Sequence, residues 1–120
     1  YIKDSALIIY PKPPLLTCKM YFLTGGGAIS YAEDLLGIIK NYNLAKIVGE
    51  PTAGSTGNTN NVFLLGGLFT PLTGMNVTTQ KGKQFNTRGI MPDYVIKSRI
   101  EDIRLGRDAL LEFALNKIKN

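Results

Sequence analysis

The sequence predicts an α/β fold, and three observations carry that prediction. Met20 to Leu23 is a short apolar run, stopped by Gly25-Gly26-Gly27. Tyr31 to Tyr42 follows with helical spacing. Ala45 to Val48 is a second brief apolar run that ends at Gly49. Short runs that are apolar on both sides are how strands of a buried parallel sheet read. A strand, a helix and a strand within about thirty residues form a βαβ unit, which implies parallel strands joined by a right-handed crossover.

Taken in order, Ala6 to Tyr10 is a short apolar run, and Pro11, Pro13 and Pro14 then impose an extended connection into the strand at Met20. In the helix, Tyr31, Leu35, Ile38 and Tyr42 fall on one stripe, which Ala32, Leu36 and Ile39 widen. Leu35, Ile38 and Ile39 are therefore expected to pack on the sheet. Gly49 to Asn61 is rich in Gly, Thr, Ser and Asn and reads as a long loop, which is either a solvated surface or functional. Val62 to Leu65, Gly66-Gly67 and Leu68 to Leu72 read as a hairpin, and Met75 to Thr79 alternates like a further strand. The sheet is expected to change from parallel to antiparallel there. Gln80 to Arg88 is a polar loop, and Gly89 to Asp93 turns the chain into a last short strand, Tyr94-Val95-Ile96. Arg107 to Lys119 is expected to be a helix, with Leu110, Phe113, Ala114 and Ile118 on one stripe supported by Leu111 and Leu115.

Ser30 stands at the strand-to-helix turn. The first N–H groups of a helix lack intrahelical partners and carry partial positive charge, so a developing oxyanion beside Ser30 would be stabilised. A nucleophile beside such donors is what acyl transfer needs. The same residues admit a plainer role: Ser30-Tyr31-Ala32-Glu33 is also a capping box, and a helix cap is the commoner use of serine. A phosphate cradle fits less well, because neither the dinucleotide glycine spacing nor a Gly-Lys-Ser/Thr ending follows the glycines.

Composition narrows the function classes. The chain has 120 residues, enough for one core, and a net charge of +5 spread over its length. Nucleic-acid modules concentrate such charge with aromatics, and this chain does not. No run approaches the ~20 apolar residues of a membrane span, and the start lacks the order of a signal peptide. Opening on Tyr-Ile-Lys-Asp, the chain reads as a piece of a longer one. Histidine is absent, so neither a histidine-based metal site nor a Ser-His-Asp triad can be completed within these residues, and no cofactor motif is present. The single cysteine, Cys18, is expected to be a small buried hydrophobe.

Four ordered blocks give a more specific reading: Tyr21-Phe22-Leu23-Thr24; Gly27-Ala28-Ile29-Ser30-Tyr31-Ala32-Glu33; Ile47-Val48-Gly49-Glu50-Pro51-Thr52-Ala53-Gly54; and Arg88-Gly89-Ile90-Met91-Pro92-Asp93-Tyr94-Val95. With the closing Gly106-Arg107-Asp108 to Leu115, they resemble the catalytic domain of the tail-specific, or C-terminal-processing, serine peptidases. The resemblance implies a layered sheet and helices of the Clp-protease/crotonase type, with a small β-rich extension from Val62 to Thr79. It makes residues 1–120 the C-terminal part of that domain.

In the family the nucleophile maps onto Ser30, three residues before Glu33, and the N–H of Tyr31 serves as one oxyanion donor. One branch of the family places a lysine base where this chain has Ser55. The tricorn-like branch uses an upstream histidine and a glutamate, and the glutamate position falls on Asn86. The glycine-rich strand end that supplies the second oxyanion donor in the family is not found before Met20. The resemblance thus implies a serine endopeptidase acting on peptides or unfolded proteins, in the cell envelope or secreted, without a cofactor. The loop from Gly54 to Asn61 would shape the peptide groove. Ser55, Asn86 and the missing histidine favour a peptidase-like binding or scaffold domain as the alternative, and the glycines favour a crotonase-like acyl-thioester enzyme. Without a base of its own, the isolated chain is expected to be inactive.

Overall fold

The computed structural model describes residues 10–79, 81–84 and 86–119. Most of the apolar run at Ala6 to Tyr10 lies outside the described residues. Residues 11–20 form neither helix nor strand, in keeping with their prolines, and Cys18 is exposed there rather than buried. Residues 11–19 are exposed along their whole length.

Strand β1, Tyr21–Thr24, leads through the glycines into helix α1, Tyr31–Asn41, and then into strand β2, Lys46–Gly49. The two strands pair in parallel with Phe22 opposite Ile47 and Thr24 opposite Gly49, so the βαβ unit forms as predicted. Strand β5, Tyr94–Val95, joins the other side of β2, also in parallel, giving the order β1-β2-β5. Asp93 sets its register. Its N–H donates to the Ile47 carbonyl at 2.8 Å, and its carboxylate accepts the Ile47 N–H at 2.8 Å and the Lys40 ammonium at 3.3 Å.

Side chains alternate along strands, so Phe22 and Ile47 share one face of the sheet while Val48 and its neighbour Tyr94 share the other. Helix α1 covers the first face: Leu36, Ile39, Ile47 and Ile90 form the core, with Phe22, Ala28, Ala45 and Val77 against it. On the second face lies helix α3, Ala109–Lys119, whose Phe113 ring stands 5.2 Å from that of Tyr94. This is the layered α/β arrangement the sequence predicts.

Several details differ from expectation. The buried face of α1 carries Glu33, Leu36, Gly37 and Ile39, whereas Tyr31, Leu35, Ile38 and Tyr42 are exposed. The helix is rotated so that Glu33, not an apolar residue, enters the interior, because that carboxylate is consumed by hydrogen bonds described below. In α3, Ala114 is buried, Leu110 and Phe113 are half-buried, and Leu111, Leu115 and Ile118 are exposed, because only one edge of the helix meets the sheet. A short helix, α2 at Ile100–Arg104, forms where none is predicted, started by an Asp102 carboxylate that accepts the Arg99 N–H at 3.0 Å.

The hairpin consists of β3, Asn60–Phe63, and β4, Phe69–Leu72, which pair antiparallel around Gly66-Gly67. It is a sheet of its own and not an antiparallel continuation of the main one. Met75 to Thr79 is not a strand either. Among the described residues only Thr78 forms a bridge, to Gln84, while the Met75 carbonyl and the Val77 N–H bond to the Asn86 side chain instead of a neighbouring strand.

Candidate active site

Ser30 immediately precedes α1 with φ 52° and ψ −120°, a backbone conformation that costs a non-glycine residue about 1–3 kcal/mol. Its side chain makes no capping bond and is exposed, so the capping-box role is not the one this serine takes. The Tyr31 N–H is the first of the helix, one of the donors that a helix start leaves without an intrahelical partner. Both residues open onto a groove of about 270 Å³, to which α1 also contributes Asp34. The long loop contributes Thr56, Gly57 and Asn58, and the segment after the hairpin contributes Met75 and Val77. The loop expected to shape a groove therefore does line one.

That loop has no helix or strand from Pro51 to Thr59, and Glu33 organises it. The Glu33 side chain is 0% exposed. Its Oε1 accepts the Thr52 hydroxyl and the Gly54 N–H, both at 2.6 Å, and its Oε2 accepts the Ser55 N–H at 2.7 Å and the Ser55 hydroxyl at 3.3 Å. Burial pushes the Glu33 carboxyl up, but the bonds from Thr52, Gly54, Ser55 and the Ser30 backbone outweigh it and hold the group below its ordinary value. One residue on, Asp34 accepts the hydroxyl of the buried Thr56. Two adjacent carboxylates in the first turn after Ser30 thus fix the loop across from it.

The loop is closed from behind by the block around Gly89. The Thr52 hydroxyl accepts the Ile90 N–H at 2.7 Å, and the Gly54 carbonyl accepts the Thr87 N–H at 2.6 Å. A Cβ on Gly54 would lie 2.8 Å from the backbone of Thr87 to Gly89, and one on Gly89 would collide with the Thr52 carbonyl. Both glycines also have positive φ, so only glycine allows this close approach.

Of the remaining predicted site residues, Ser55 belongs to the Glu33 bracket. Asn86 is 5% exposed, so it is not a solvated loop amide. Its Nδ2 donates to the Met75 carbonyl at 2.9 Å and its Oδ1 accepts the Val77 N–H at 3.2 Å, which holds two residues of the groove in place. Glu33, Asp34, Met75 and Val77 were not assigned to the site from the sequence. The signal for Glu33 was present in Thr52-Ala53-Gly54-Ser55, a run of donors with no other obvious acceptor, but a helix-start glutamate reads equally well as part of a cap. Among the described residues no cluster of His, Cys, Asp and Glu could hold a metal ion, and no helix is long and apolar enough to cross a membrane.

Residues 7–96 match the sequence profile of Peptidase family S41. No curated protein sequence matches the chain. Among solved structures, a proposed peptidase from Parabacteroides merdae ATCC 43184 superposes with a TM-score of 0.80 at 22% identity, over 86% of this chain and 32% of that one. Mature CPAF complexed with lactacystin gives 0.74 at 26% identity, over 92% of this chain and 21% of that one. The tricorn protease gives 0.70 at 20% identity, over 85% and 11%. The chain therefore spans a third or less of the length of these structures.

Proposed function

Because the chain belongs to peptidase family S41, we propose that it is the part of a serine peptidase catalytic domain that carries the nucleophile, with Ser30 attacking the carbonyl of the scissile peptide bond. The observation that carries this reading is the strained backbone of Ser30, whose hydroxyl is exposed and uncapped at a helix start and opens on a groove. Strain of this kind persists only where surrounding structure enforces it, and here the Glu33 bracket lies one turn away. In the proposed reaction the Ser30 Oγ bonds to the carbonyl carbon and its proton passes to a base. The Tyr31 N–H donates to the oxyanion. The C–N bond then breaks, the amine leaves with a proton, and water hydrolyses the resulting ester.

These 120 residues contain no histidine, and Ser55 stands where one branch of the family places a lysine base, so this reading takes the base from another part of the protein. Peptides or unfolded proteins are the proposed substrates, with cleavage near C termini as the finer reading. Labelling of the full-length protein by a serine-directed fluorophosphonate tests the assignment. Wild type is expected to label and Ser30→Ala to lose labelling and turnover by about a thousandfold or more. Equal labelling of the two proteins would remove the nucleophile role.

One observation favours a second reading, a peptide-binding domain without turnover. The position where the tricorn-like branch carries a glutamate is an amide whose two ends are both occupied by backbone. No comparable observation favours the acyl-thioester reading.

A further inference from the structure

We propose that Asp34 makes the groove selective for a basic side chain, lysine or arginine, close to the scissile bond. The inference rests on the reading of the Ser30 groove as the peptide site and adds the chemical class of residue it prefers. Asp34 lies four residues after Ser30, so the two stand on the same side of α1 about one turn apart. It is half-buried and lines the groove together with Ser30. The Thr56 hydroxyl occupies its Oδ1, and among the described residues no lysine or arginine forms an ion pair with it.

The rest of the groove adds no second charge. Its other contributors are apolar, as are Met75 and Val77, or neutral and polar, as are Thr56 and Asn58. Indeed, residues 51–80, which supply the loop, the hairpin and the segment after it, contain no Asp, Glu, Lys or Arg. An apolar wall with one uncompensated carboxylate suits a side chain with an apolar stem and a cationic head. An acidic side chain in the same place would meet like charge, and an apolar one would leave the carboxylate partly desolvated with no counter-charge beside it.

Asp34 also complements the positive end of the α1 dipole, which a purely structural role would explain. The two roles separate in the ratio between peptides, because a structural defect weakens all of them alike. The test measures binding of fluorescent peptides to full-length Ser30→Ala by anisotropy, with Lys, Leu or Glu placed in turn at each residue flanking the cleavage site. Binding to a protein unable to turn over also separates failure of this inference from failure of the peptidase reading, which fluorophosphonate labelling reports.

At one position the lysine peptide is expected to bind about tenfold more tightly than the glutamate peptide, and the preference should shrink as salt is raised. Asp34→Asn keeps an oxygen for Thr56 and should bring the lysine-to-glutamate ratio near unity. Asp34→Lys should invert it. A ratio near one in the Ser30→Ala protein, a ratio unchanged by Asp34→Asn, or no binding of any peptide would each overturn the proposal.

Discussion

The loop that faces Ser30 and the hairpin that follows it are built from similar neutral residues, yet they are held in opposite ways. The loop from Pro51 to Thr59 has no secondary structure, but Thr52, Gly54 and Thr56 are buried, and buried carboxylate and hydroxyl groups tie them down. The hairpin has a regular antiparallel ladder and almost nothing buried: Phe63 is 78% exposed and Leu65 96%. Regular hydrogen bonding in the hairpin therefore does not mark the rigid region. Rigidity follows the side-chain bonds that converge on α1, and those belong to the site.

The largest effect on stability is expected at Glu33. Glu33→Ala leaves the buried Thr52 hydroxyl and Gly54 N–H, and the part-buried Ser55 N–H, without their acceptor. Each stranded donor costs about 1–3 kcal/mol, so a loss of about 3 kcal/mol or more is expected in chemical denaturation, together with loss of peptide binding. The pH dependence has a definite sign. Burial raises the Glu33 pKa, but the bonds from Thr52, Gly54 and Ser55 lower it further, so the folded value lies below the unfolded one. Its contribution is present above about pH 4.5, the ordinary range for glutamate, and is lost as pH falls through the depressed folded value. Melts of wild type should fall steeply in acid and those of Glu33→Gln less so. Parallel acid profiles for the two would refute the bracket.

A middle-sized effect is expected at Asn86, where the family pattern suggests that a glutamate would restore catalytic charge. The hydrogen bonds point the other way. Asn86→Glu removes the donor to the Met75 carbonyl and sets a carboxylate against it in a nearly buried place. The substitution is expected to cost about 2 kcal/mol and to lower peptide binding. A well-folded Asn86→Glu protein with a higher turnover rate would show that the amide stands in for a catalytic carboxylate after all.

The βαβ unit was legible because Met20 to Leu23 and Ala45 to Val48 are short apolar runs bounded by glycine, which have few other uses, although only Ile47 and Val48 of the two runs are fully buried. The place of Ser30 and Tyr31 at a strand-to-helix turn was legible, and in the structure both line the groove. The rotation of α1 was not legible. An eleven-residue helix with apolar residues at Leu35, Leu36, Ile38 and Ile39 offers two adjacent stripes, and the choice between them was made by a buried glutamate that hydrophobic periodicity counts as surface. Met75 to Thr79 failed for a related reason. Alternation reports which way side chains point, but not whether a partner strand or an asparagine satisfies the backbone.

The smallest effect is expected at the hairpin tip, and it tests the other half of the contrast. Leu65 lies between Leu64 and the Gly66-Gly67 turn, is 96% exposed, and buries little apolar area on folding. Surface substitutions away from caps, glycines of special conformation and buried networks usually change stability by less than about 0.5 kcal/mol. Leu65→Ser should therefore leave the midpoint of chemical denaturation within that range, and Ser30 labelling unchanged, because none of the Glu33 or Asp34 bonds reaches the tip. Phe63→Ser should cost slightly more, since its ring loses a tilted contact with Phe69 at 6.3 Å, a pairing worth about 0.5–1.5 kcal/mol where it is buried and less where it is exposed. If either substitution destabilised the full-length protein by 2 kcal/mol or more, the hairpin would be packed against another part of it, and the contrast between a pinned loop and a free hairpin would fail.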